Sequence, residues 1–158
     1  MARGSSNKDH QKVPVRPAGL RLGPMGTAEH YHAHLDVLVN GQAVPVPPNI
    51  GVDPSSGLMT GLHTHTPDGV VHIEAARTGQ PFTLGQLFTE WNVRLAATQL
   101  GGLAVSGNNT LTLYVNGSKV SANPATLRLE PRQQITPVYG PADQEVSVPD
   151  SYDFAPGE

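Results

Sequence analysis

With 158 residues, 37% of them hydrophobic and 15% charged, the chain is long enough for one domain with a real core and too short for two of ordinary size. A formal charge of -3 and no long run of Lys or Arg exclude the electrostatic footprint of a nucleic-acid or anionic-lipid binder. Cysteine is absent, which excludes disulfides, thiolate metal sites, cysteine nucleophiles and iron–sulfur clusters, and leaves nitrogen, oxygen and a few thioether donors.

The first 28 residues, MARGSSNKDHQKVPVRPAGLRLGPMGTA, mix Pro, Gly and Ser without sustained periodicity and read as a flexible leader, with His10 a solvated residue outside any site. No stretch reaches the roughly 18 apolar residues of a membrane helix. The polar start fits a position just after a removed signal peptide or membrane anchor, so an exported protein is the expectation. From Glu29 the pattern changes. In HLDVLVNG, His34, Asp36 and Leu38 alternate with Leu35, Val37 and Val39, as a half-buried strand requires. Asn40-Gly41 is the strongest short hairpin signal, and QAVPVPP after it supplies a return strand.

GVDPSSGLMTG is turn-rich, after which LHTHTPDGVVHIEAA reads as two short strands around a turn at Pro67-Asp68-Gly69. FTLGQLFTEWNVRL then offers Thr83 as an N-cap and places Leu84, Leu87, Phe88 and Trp91 at helical spacing, with Gly85 weakening the helix a little and Glu90 and Arg94 at ion-pair spacing. NTLTLYVNGSKV repeats the strand and Asn-Gly signal at Asn116-Gly117, and LRLEPRQQITPVYG adds further strand pieces. The 17 glycines and 15 prolines recur between these runs as turns. The chain therefore divides into a leader (1–28), a β-rich domain (29–141) and an irregular acidic tail (142–158). The expected fold is a strand-dominated α+β domain, β-grasp-like with one helix on a sheet, with a β-sandwich as the alternative.

Six of the seven histidines fall between positions 30 and 72. In HYHAH the spacing is two, so on a strand His30, His32 and His34 project from one face about 7 Å apart at Cα. HTH at His63 and His65 repeats the spacing, and His72 with Glu74 forms a third same-face pair beyond the Asp68-Gly69 turn. Neutral imidazole is a good donor to Cu(II), Zn(II), Ni(II) and Fe(II), and three or four rings suffice for one ion. The candidate ligands are His30, His32, His34, His63, His65, His72 and Glu74. Asp36, Asp68 and Glu74 are available to orient imidazole N–H groups. Of the six rings, His34, His63, His65 and His72 are the foremost candidates and His30, at the strand's start, the least. Six rings allow one site with supporting residues or two nearby sites. Met25 and Met59 are read as packing residues. No GxSxG, Walker loop, GxGxxG or HExxH occurs, so nucleophile, nucleotide and zincin chemistries lack support.

The run HxHxHLDV, HTHxxxGxxHIE and FTLGQLFxEW, over residues 30–95, resembles a pattern of small, little-characterised extracytoplasmic bacterial proteins often tethered by an N-terminal anchor. The resemblance implies an exported location and no particular reaction. Taken together, the sequence predicts an extracytoplasmic protein that sequesters, buffers or delivers a transition-metal ion, Cu(II) or Zn(II), with copper favoured by intrinsic affinity. The competing class is a metalloenzyme with a mononuclear or dinuclear histidine centre, hydrolytic or redox. A third is an interaction module whose histidines respond to acid, metal being irrelevant.

Overall fold

Alternation along two neighbouring strands sets the architecture. The computed structural model describes residues 15–158; His10 lies outside them. In chain order the elements are β1 (Glu29–Leu35), β2 (Val37–Val39), β3 (Gln42–Val44), β4 (Leu62–His63), β5 (Val70–Ala75), α1 (Leu84–Trp91), β6 (Leu95–Ala96), β7 (Gln99–Leu100), β8 (Leu103–Ala104), β9 (Asn109–Val115), β10 (Ser118–Val120), a 3₁₀ turn (Pro124–Thr126) and β11 (Gln134–Pro141). Ala33 and Leu35 of β1 and Val71, Ile73 and Ala75 of β5 are buried in the hydrophobic core. The residues between them, His32, His34, His72 and Glu74, therefore lie on the other face.

The main sheet runs β10-β9-β11-β1-β5-β4, and a small second sheet runs β6-β7-β8. β11 lies parallel to β1, with His34 opposite Gln134, and antiparallel to β9. At Asp36 the first strand changes its outer neighbour: β1 pairs with β5 up to His34, and β2 continues along β11 while pairing with β3. The single run expected through HLDVLVNG is thus two strands in one line. Both Asn-Gly hairpins are present, between β2 and β3 and between β9 and β10. Their central residues have φ of 51° and 79° at Asn40-Gly41 and 52° and 80° at Asn116-Gly117, the positive pair that a type I′ turn needs.

Thr83 caps α1 in a capping box: its hydroxyl accepts from the Gln86 backbone while the Gln86 side chain accepts from the Thr83 backbone. Leu84, Leu87 and Phe88 face the core, and Phe88 packs on Trp91 with ring centroids 5.2 Å apart. Asn92 ends the helix in the left-handed conformation, so Arg94 falls outside it and the expected Glu90–Arg94 pairing does not form. Glu90 is instead buried, 1% exposed, and accepts from Arg16 Nε at 2.7 Å. This pair belongs to a stretch expected to lie outside the core: within 15–28, Leu20 also joins the hydrophobic cluster. The segment after β11 has no strand or helix, yet Phe154 is buried and Tyr152 stacks on His34. The domain is strand-dominated α+β, with a curled mixed sheet and a sandwich-like arrangement. Among the described residues no helix is long and apolar enough to cross a membrane.

Candidate metal centre

Strand register assembles the histidines. In the antiparallel pairing of β1 with β5, His32 stands opposite His72, and in the pairing of β4 with β5, His63 stands opposite His72. One row across three strands therefore carries three imidazoles on the face away from the core. His30, two residues before His32, and His65, two residues after His63, flank the row. The five rings form two sets of three, His30–His32–His72 and His63–His65–His72, and within each set the candidate ligand atoms all lie within 4.8 Å of one another. These groups are close enough to hold a metal ion.

Hydrogen bonds show which nitrogens are free. His63 is 1% exposed and its Nδ1 lies 2.7 Å from the Thr60 carbonyl. A carbonyl only accepts, so the ring carries its proton on Nδ1 and presents a bare Nε2, the arrangement common to metal-ligating histidines. His32, 5% exposed, places Nε2 at 2.9 Å from His72 Nδ1, while its own Nδ1 is buried without a partner. A buried nitrogen without a partner is costly, and such a group is uncommon outside functional sites. Burial favours the neutral rings. It lowers the pKa of His32, with the neighbouring His30 adding to the effect, and it lowers that of His63 despite the opposing Thr60 bond. For His72, burial and then His32, His65 and His63 push the value down to about 4. Neutral rings keep the lone pairs that ligation requires.

His34 shares the strand face but joins neither set. Its Nδ1 lies 2.7 Å from Gln134 Oε1 and its Nε2 2.7 Å from the Asp68 carbonyl, so both nitrogens are engaged. Tyr152 covers the ring at 3.6 Å between centroids, nearly parallel. Gly69 makes room for this arrangement: a Cβ there would come within 2.9 Å of His34 Nε2, and its φ of +84° suits glycine. The two aspartates expected to orient the ligating rings serve His34 instead. Asp36 Oδ2 lies 3.5 Å from His34 Nδ1 and accepts from Gln134, and Asp68 holds His34 through its main chain while its carboxylate caps its own turn. Glu74 stands opposite His30, with Oε1 3.5 Å from His30 Nε2 and a buried Oε2 that lacks a partner. It is placed to orient His30 rather than to join either set of three.

Gln134, Thr136 and Tyr152, which build the surroundings of His34, were not singled out by sequence reading; no spacing signal links them to HYHAH. No family model, curated protein or solved structure matches the chain.

Proposed function

We propose that the protein binds a divalent transition-metal ion, Cu(II) or Zn(II), through His63, His65 and His72, and that it sequesters or delivers that ion outside the cytoplasm. One observation carries the reading: His63, held by Thr60 with Nε2 bare, lies in register with His72, whose ring is neutral at physiological pH. An all-nitrogen set favours copper by intrinsic affinity, and availability favours zinc. The extracytoplasmic setting rests on the resemblance of residues 30–95 and is tested by fractionating the cells that make the protein.

Metal analysis of untagged protein, followed by visible and EPR spectra, tests the core of the proposal. Stoichiometric metal whose binding weakens about a hundredfold in His72→Ala supports it, and the absence of bound metal at neutral pH after incubation with Cu(II) or Zn(II) refutes it. A catalytic reading has one observation in its favour. Three protein nitrogens per set leave a coordination position for water, as in hydrolytic zinc sites. Exchangeable water on the bound ion, seen by relaxation of solvent protons, separates that reading from simple sequestration.

A further inference from the structure

His72 belongs to both sets of three, and a neutral imidazole has one bare nitrogen at a time. We propose that the two sets are alternative stations for a single ion, which passes between them by exchanging ligands around His72. The proposal rests on the metal-binding reading above and selects delivery over storage.

The geometry supplies both states. In the structure as it stands, one proton occupies the 2.9 Å gap between His32 Nε2 and His72 Nδ1. When His72 donates that proton, its Nε2 is bare, and this nitrogen is assigned to an ion held with His63 and His65, the set in which His72 offers one ligand atom. His32 then carries its own proton on Nδ1, the buried atom that lacks a partner. In the second state the ion replaces the proton between the two rings. Nitrogens bound at about 2.0–2.1 Å stand about 2.9 Å apart at a right angle and about 3.3 Å apart at the tetrahedral angle. The observed gap therefore needs to open by a few tenths of an ångström at most. Transfer breaks the bonds from the ion to His63, His65 and His72 Nε2 and forms bonds to His30, His32 and His72 Nδ1. The Nδ1 proton leaves to solvent and Nε2 takes one up, so neither net charge nor oxidation state changes.

Electrostatics argues against filling both stations. Two doubly charged ions on opposite nitrogens of one ring sit about 6 Å apart, close enough for strong mutual repulsion even at an effective dielectric of about 20. Relieving it requires stripping the single N–H proton from the neutral His72 ring. Both stations also reach the surface. His65 is exposed on one side, and on the other His30, 53% exposed, opens onto a cavity of about 490 Å³ lined with Glu29, Tyr31, Arg128 and Glu130. The row thus has an opening at each end.

Titration with Cu(II), followed by calorimetry and EPR, tests this on the full chain. The expected result is one equivalent of Cu(II) distributed between two EPR signals. The exposed-site variants His30→Ala and His65→Ala, which leave the core intact, should each keep one equivalent, lose one of the two signals and weaken binding by no more than about tenfold. His72→Ala should weaken binding by about a hundredfold or more, with circular dichroism confirming that it folds. Two equivalents in the unaltered protein, or a single signal unaffected by His30→Ala, overturns the two-station proposal while leaving metal binding in place. No binding by the unaltered protein overturns the functional reading itself.

Discussion

His32 and His34 leave the same face of the same strand two residues apart, and their surroundings could hardly differ more. His34 has an oxygen acceptor within 2.7 Å of each ring nitrogen and an aromatic lid. His32 has only another imidazole and an unpartnered nitrogen. The difference comes from their neighbours. β11 and the turn before β5 deliver oxygens to one ring, while β5 and β4 deliver nitrogens to the other. A histidine with an oxygen against both ring nitrogens has no nitrogen left for an ion, whereas one with an oxygen on a single nitrogen, or on none, keeps a nitrogen to offer.

The largest effect that sharpens this contrast is on metal affinity. His72→Ala should lower Cu(II) affinity by more than about a hundredfold, whereas His34→Ala should change it less than about threefold; equal losses in a competition titration would erase the distinction. The order reverses for stability. His34→Ala removes the ring that lies 2.7 Å from both Gln134 Oε1 and the Asp68 carbonyl and leaves those acceptors without it, at a cost of about 1–3 kcal/mol read by urea denaturation of the metal-free protein.

Acid separates the regions in another way. The folded-state pKa values of His32, His63 and His72 lie below those of the unfolded chain, so below pH about 6.5 the unfolded rings bind protons that the folded ones do not. Stability of the metal-free protein is retained above that pH and is lost progressively toward pH about 4, where His72 itself charges. Melting at pH 7.5 and pH 5 should show a fall of several degrees, at about 2–4 °C per kcal/mol; a rise would contradict the neutral-ring assignment. The smallest effect is expected for Tyr152→Ala, which uncovers His34 at a cost of about 0.5–1.5 kcal/mol without altering Cu(II) stoichiometry.

Local signals made much of the fold legible. Alternation in HYHAHLDV and VVHIEA identifies the core face, two Asn-Gly pairs mark two hairpins, and Thr83 with Gln86 marks the helix start. Period-two spacing also placed the histidines on one face. It did not separate His34 from the rest, because that distinction depends on Gln134, 100 residues away through a parallel pairing. Arg16 and Glu90 were missed for the same reason: they are 74 residues apart and the buried carboxylate has no local signature. Gly85 reads locally as a weak point of the helix. In the fold it permits close approach to the 3₁₀ turn, since a Cβ there would sit 2.7 Å from the Ala125 carbonyl. Local patterns report faces and turns, and chain-distant partners decide what each polar side chain does.

The segment from His63 to His72 also has a kinetic meaning. Three of the candidate ligands lie within these ten residues, around a turn that closes without help from the rest of the sheet. β1 and β11, by contrast, must find each other across 100 residues. Short loops close on a timescale of about 10–100 ns and distant strand pairs far more slowly. On the proposed reading, an ion present during folding would grip β4 and β5 before the surroundings of His34 exist. Part of its binding energy would then be expressed in the unfolded ensemble, so the ion would raise the melting temperature by less than its affinity for the native protein implies.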